Sequence, residues 1–296
     1  MKILVTADLH YNIGRSRQPA EQLARRVAGE GGDALVLVGD TAGADLRAMR
    51  EALQLFADFP GRRLLVPGNH CLWCQPGQDS LERYERVLPE LAAEEGFSLL
   101  DHEPVVLGGV GLVGSVGWYD YSFRDPALGI PLEFYRAKLS PGAARYYGRR
   151  DLIDRHADAV TDEQMRIGAR WMDVEHIRLP MSDEAFAEHL TRRLTAQLKE
   201  MTLRTRQIAV FLHHLPFEEL LPHNRPAKFR FAGAFLGARR MGEALRRFAA
   251  VSHVYCGHSH WRARKRVGHM HAINVGSTYT DKHLDILQID REEYER

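Results

Sequence analysis

Apolar residues cluster in short runs whose spacing changes along the chain. Lys2–Thr6 (KILVT), Ala34–Val38 (ALVLV) and Arg63–Val66 (RLLV) are continuous apolar runs, and each predicts a buried strand. The segments between them have helical spacing. Pro19–Glu30 carries Leu23 and Val27, and Leu46–Phe59 carries Met49, Leu53 and Phe56 on one face, with Pro60–Gly61 as its stop. Strand, helix, strand, helix, strand predicts an α/β sheet with parallel pairing.

Beyond residue 100 the pattern loosens. Val105–Leu107 and Val110–Val113 predict a hairpin around Gly108–Gly109, and Gly117–Pro126 (GWYDYSFRDP) reads as an aromatic loop. From Asp125 to about Asp173 no strand pattern is present, so this region reads as a partly helical insertion over one end of the sheet. Residues 120–180 or so are therefore a lid candidate. Ser182–Leu203 is a long amphipathic helix with Phe186, Leu190, Leu194 and Leu198 four residues apart. Gln207–Leu212, Val251–Cys256, Met270–Val275 and Leu284–Ile289 read as strands, and Met241–Phe248 as a helix. Without repeats or a clear linker, residues 1–296 are expected to form one domain.

Composition narrows the classes. The chain has 296 residues with 40 Lys plus Arg against 39 Asp plus Glu. Such a balance provides no strong field for nucleic acid or an anionic membrane, although Arg262–Arg266 (RARKR) is a local basic run. The apolar start is too short for a secretory h-region, and no run approaches a membrane span. Three cysteines, Cys71, Cys74 and Cys256, do not make a disulfide scaffold, so a cytoplasmic protein with reduced thiols is expected. Histidine stands out, with 15 copies, several of them paired.

Each candidate polar cluster directly follows a predicted strand. Asp8 and His10 follow the first, Asp40 the second, Asn69 and His70 the third; His213 and His214 follow Gln207–Leu212, and His258 and His260 follow Val251–Cys256. Ligands of open α/β sheets gather beyond the carboxyl ends of the strands, so the five clusters are expected to share one crevice. Carboxylate, amide and imidazole donors suit Mn, Fe, Zn or Ni rather than thiolate-seeking metals. They are too many for one four-coordinate ion, which favours two divalent ions, Mn or Fe before Zn or Ni, with Asp40 as the bridge. Gly39, Gly68 and Gly257 precede donor residues, where the turns need positive φ or close backbone approach.

Asp8-Leu9-His10, Gly39-Asp40, Gly68-Asn69-His70, His213-His214-Leu215-Pro216 and Gly257-His258-Ser259-His260, in this order, resemble the calcineurin-like metallophosphoesterase family. The resemblance implies a four-layer αββα sandwich of two mixed sheets flanked by helices. It further implies a first metal held by Asp8, His10, Asp40 and His260, and a second held by Asp40, Asn69, His213 and His258. His70 would stay off the metals and donate to the departing oxygen. His214 is the alternative second-metal ligand. The Asn274–Ser277 turn resembles the family's closing strand and turn. The implied reaction is hydrolysis of a phosphomonoester or phosphodiester, in which a hydroxide bridging the two metals attacks in line.

Two positions depart from the family pattern. Cys71 stands where an acidic residue usually follows G-N-H, and Gly43 where an acidic or amide residue often lies three positions after the G-D aspartate. Asp45 or Asp120 is the candidate replacement partner for His70. Cys71 and Cys74 read as packing residues rather than a redox pair. Expected substrates are small phosphorylated molecules or nucleotides, contacted by Asn69, His70, His214, Trp118 and Asp120. The aromatics from Trp118 to Phe123 are candidate stacking surfaces, and Arg145, Arg149 and Arg150 candidate phosphate contacts. A nuclease with the same site, or a scaffold that has lost its chemistry, are the alternatives.

Overall fold

The computed structural model describes residues 1–223 and 225–289. One sheet contains β1 (Lys2–Thr6), β2 (Ala34–Val38), β3 (Arg62–Val66), β4 (Ser98–Leu99) and β11 (Asp285–Gln288). Its order is β11-β1-β2-β3-β4, parallel apart from β11, which runs against β1. The other contains β5 (Val105–Leu107), β6 (Val110–Ser115), β7 (Gln207–Leu212), β8 (Val251–Cys256), β9 (Ala263–Val267) and β10 (Met270–Asn274). Its order is β5-β6-β7-β8-β10-β9; the inner strands are parallel, and β5 and β9 close the edges antiparallel.

Strand side chains alternate between faces, and here both faces are covered. Ile3, Val5, Val36, Val38, Leu64 and Val66 meet Leu112, Phe211, Tyr255 and Ile273 in an apolar layer between the sheets. Leu4, Leu35, Leu37 and Leu65 point outward, into the cluster that includes Leu23 and Val27 of the helix Gly14–Glu30. Strands buried on both faces read as unbroken apolar runs, as KILVT and ALVLV do. On the opposite side the helix Asp183–Arg204 covers the second sheet with Phe186, Leu190, Leu194 and Leu198. All four are fully buried, each stabilising the fold by roughly 2 kcal/mol. Ser182 caps this helix by accepting from the Ala185 amide at 3.2 Å. The layers are therefore helix, sheet, sheet, helix.

Element limits shift where local bonding decides them. The helix expected over Leu46–Phe59 is Leu46–Gln54, because Phe56, Ala57 and Phe59 bond three residues back and tighten the chain into turns. The helix expected over Met241–Phe248 is Arg239–Arg246. Two strands have no apolar signature: β4 has two residues, and β9 is the basic run, with Arg264, Lys265 and Arg266 on the exposed edge. Between β6 and the long helix lie short helices, Leu132–Arg136, Pro141–Tyr146, Arg150–Arg155, Asp162–Met165 and Asp173–His176, with an isolated bridge from Leu139 to Arg170. Among the described residues no helix is long and apolar enough to cross a membrane.

Candidate metal centre

The turns after β1, β2, β3, β7 and β8 meet at one end of the two sheets and bind one another through the backbone. The Asp8 amide donates to Gly39 O at 3.0 Å, His10 to Asp40 O at 2.7 Å, and Gly257 to His213 O at 3.1 Å. Each carboxylate also accepts from the amide of another cluster. Asp40 Oδ1 takes the His70 N–H at 2.9 Å, and Asp8 Oδ1 takes the His258 N–H at 3.0 Å. Asn274 closes the last turn, its Nδ2 donating to Gly257 O at 3.0 Å and Ser259 Oγ at 2.7 Å.

Holding the donors inward requires unusual backbone. Asp8, His10, Asp40, His258 and His260 all have positive φ, at 57°, 46°, 48°, 69° and 54°. For non-glycine residues this costs of order 1–3 kcal/mol each, and such strain collects at functional sites. The three glycines solve different problems. Gly39 has φ of 82°. Gly68 and Gly257 allow close approach: a Cβ on Gly68 would lie 2.1 Å from Asp40 Oδ1, and one on Gly257 would lie 2.6 Å from Asp8 Oδ2.

Three groups of donors converge: Asp8 with His10 and His260; His10 with Asp40 and His70; Asp40 with His213 and His258. His10 Nε2 is 3.2 Å from His260 Nε2 and 3.5 Å from Asp40 Oδ2. His213 Nε2 is 3.4 Å from Asp40 Oδ1 and 3.2 Å from Asn69 Oδ1, while its Nδ1 faces Val38 O at 3.2 Å. Two buried carboxylates and several imidazole nitrogens pointing at one another make a donor set that fits divalent cations. His10 Nδ1 and His214 Nε2 are buried without a protein partner.

The electrostatics show why such a cluster favours cations. Burial pushes Asp40 up, but the attraction of His213, His70 and His10 outweighs it and holds the carboxyl well below its usual range. Burial pushes His213 down; the charge of Asp40, its hydrogen bond, and Asp8 carry it to about 9. Asp8 is raised, chiefly by burial. His10 is pushed well below its usual value by burial, as is His258, where His214 and His213 add to the effect. His10 and His258 are thereby held neutral beside ionised Asp40, as metal ligands must be, whereas His213 holds a proton against Asp40 that a bound cation would displace.

His70 differs from its neighbours. Its ring lies on Trp73, with centroids 3.7 Å apart and planes 23° from parallel, and Trp73 in turn stacks on His176 at 4.3 Å. Its Nε2 is 3.9 Å from Asp40 Oδ2, and its buried Nδ1 has no partner. Neither expected substitute reaches it. Asp45 caps a helix by accepting from the Arg47 amide, and Asp120 pairs with Arg240 at 2.8 Å and with Ser122. The two positions that depart from the family pattern are linked instead by the buried Arg83, which donates to Cys71 O at 2.6 Å and to Gly43 O at 3.1 Å. Cys71 is pushed up to about 11 by burial and the nearby Asp40, so its thiol is inert.

The centre opens into a cavity of about 660 Å³, reached by Asp40, Asn69, His70, His258 and His260 and walled by Trp73, Trp171, Phe229 and Tyr279. Arg170, Arg225 and Arg230 also line it. Several expected substrate contacts are absent from this wall. Trp118 is fully buried with its indole N–H on Asp183 at 2.8 Å, so its ring is core; Asp120 is turned toward Arg240; His214 is buried with Nδ1 on Val116 O at 2.9 Å. Of the aromatic loop Phe123 and Asp125 reach the cavity, and Arg145, Arg149 and Arg150 do not. Trp171, Asp173, Tyr279 and Lys282 had no local sequence signal. Lys282 donates to Asp8 O and Thr278 O, both at 2.6 Å, and so fixes the first turn from 274 residues away.

Comparison with known proteins agrees with this geometry. Residues 1–262 match the family model of the calcineurin-like phosphoesterases. The phosphopantetheinyl hydrolase PptH from Mycobacterium tuberculosis is similar in structure, with TM-score 0.66 and 18% identity over 93% of this chain and 89% of that one. A dimetal phosphatase from Danio rerio has TM-score 0.53 and 13% identity over 94% and 87%. The protein TT1561 of Thermus thermophilus has TM-score 0.52 and 13% identity over 94% and 90%. No curated protein matches the chain by sequence. The ordered donor turns, the paired sheets and the family match lead to one statement: the chain belongs to the calcineurin-like phosphoesterases, hydrolases of phosphoric ester bonds.

Proposed function

We propose that this chain hydrolyses a small organic phosphate ester at a dinuclear centre. Asp8, His10, Asp40 and His260 would hold one divalent ion, and Asp40, Asn69, His213 and His258 the other. Two bound ions would supply positive charge for the phosphoryl oxygens and an activated water. The observation that carries this reading is the position of Asp40, whose two oxygens face His10 at 3.5 Å and His213 at 3.4 Å, one toward each donor group.

The chain's own residues do the rest. His70, outside both proposed ligand sets and held flat on Trp73, borders the cavity with Nε2 3.9 Å from Asp40 Oδ2, where it would donate a proton as the ester oxygen leaves. Trp73, Trp171, Phe229 and Tyr279 would bury an apolar or aromatic ester group, and the cavity size suits a small molecule or nucleotide better than a nucleic-acid strand. A phosphopantetheinyl ester, the group named for one structural neighbour, belongs among the substrates to test.

The test is metal analysis of the purified protein, followed by a Mn²⁺-supplemented panel of aryl monoesters, aryl diesters, nucleotides, phosphopantetheine and oligonucleotides. Metal-dependent turnover of small esters that vanishes in Asp40→Asn is expected. If the metal-free protein and Asp40→Asn both turned over an aryl diester at the wild-type rate, the reading would be wrong. Preference for oligonucleotides would move it to a nuclease.

A further inference from the structure

Asp173, outside every sequence motif and 1% exposed, is the first residue of the short helix Asp173–His176 in the insertion. Its carboxylate accepts from four neutral donors. Oδ1 takes Asn69 Nδ2 at 2.9 Å and Trp73 Nε1 at 2.7 Å; Oδ2 takes Tyr119 OH and Trp171 Nε1, both at 2.9 Å.

This set decides which way the Asn69 amide points. A side-chain amide has an acceptor end and a donor end of nearly equal size, so packing alone does not choose between them. A carboxylate only accepts, so it admits the NH₂ end and repels the oxygen. The Asn69 Oδ1 is thereby turned away from Asp173, to 3.2 Å from His213 Nε2, among the donors of the second subsite. The donors on Oδ2 keep the carboxylate from rotating, and the bond from Nδ2 polarises the amide so that its oxygen becomes a stronger donor to a cation.

We propose that Asp173 is a positioning residue for the second metal subsite, acting through Asn69. The inference rests on the dinuclear reading above and adds to it that the insertion helps to build the centre. Partners of this kind typically change metal affinity 10–100-fold when removed.

The experiment is stepwise Mn²⁺ binding by calorimetry, with electron paramagnetic resonance to separate single ions from spin-coupled pairs. In Asp173→Asn the second ion should bind roughly 10–100-fold more weakly and the coupled signal should fade at Mn²⁺ levels that fill wild type, while the first ion stays within about threefold. In an Asn69→Ala background the same change should have almost no further effect. The double variant Tyr119→Phe/Trp171→Phe keeps an aromatic ring at each position but frees Oδ2, so it tests the idea even if Asp173→Asn fails to fold; a several-fold weaker second ion is expected. Wild-type second-ion affinity in either variant, or an equal loss with Asn69 absent, would overturn the assignment. A wild-type protein that takes up one ion only would refute the dinuclear reading itself, and this inference with it.

Discussion

The imidazole of His70 rests on the indole of Trp73 with centroids 3.7 Å apart, while its Nδ1, where a carboxylate partner was expected, has none. Stacking fixes the plane of the ring without raising its basicity. The aromatic face thus takes over orientation, and no anion shares the task of holding the proton on Nδ1.

His70→Ala should lower kcat by about 10²-fold on alkyl phosphates, whose leaving oxygen needs a proton, and far less on nitrophenyl esters, whose leaving group does not. Trp73→Leu should show the same selectivity at reduced size. Metal content measured by atomic emission should stay at the wild-type level in His70→Ala. Equal losses on both ester classes would remove His70 from the leaving-group role.

Changing His213 to Ala should abolish uptake of the second ion, whereas His214→Phe should keep it. His213 Nε2 faces Asp40 and Asn69, while His214 is buried against Val116 O and is pushed down to about 3 by burial and by His213. Stoichiometric metal analysis of the two variants checks the choice; the reverse pattern would make His214 the ligand.

Gly68→Ala should destabilise the fold by roughly 1–3 kcal/mol and sharply reduce metal uptake. The new methyl would stand 2.1 Å from Asp40 Oδ1 and 2.4 Å from its backbone nitrogen, so the proposed bridging carboxylate must move. Gly14→Ala, where nothing lies within 4 Å, is the control and should change stability by no more than about 0.5 kcal/mol. Thermal melts and metal analysis of the pair decide it.

Asp101 gives the pH dependence of stability a definite sign. It is fully enclosed, accepts from Tyr84 OH at 2.9 Å and the Val116 amide at 2.5 Å, and its other oxygen has no partner. Burial raises it to about 7, against about 3.9 when unfolded. Between these values the folded chain keeps a proton that the unfolded chain has lost. Its contribution is therefore fully present below about pH 4, declines as pH rises to about 7, and is flat above. Asp101→Asn removes this slope. The difference in Tm between variant and wild type should grow in favour of the variant from pH 5 to pH 8; a constant difference would show that Asp101 does not carry it.

The sequence by itself determined the strands other than β4 and β9 and placed the candidate donors at strand ends. Unbroken apolar runs such as ALVLV fold as doubly covered strands because each residue finds an apolar layer on whichever side it faces. The candidate donors were legible because each sits in the turn that ends its strand, a local feature fixed by chain order. What only the tertiary structure decided is everything that arrives from afar. Trp118 became core rather than a stacking surface, Trp73 stacked on His70, whose Nδ1 no carboxylate reaches, and Asp173 and Lys282 reached the donor turns across 104 and 274 residues. None of these has a local signature, because their roles come from which segments pack together, and short polar helices with little periodicity leave that choice to the assembled core.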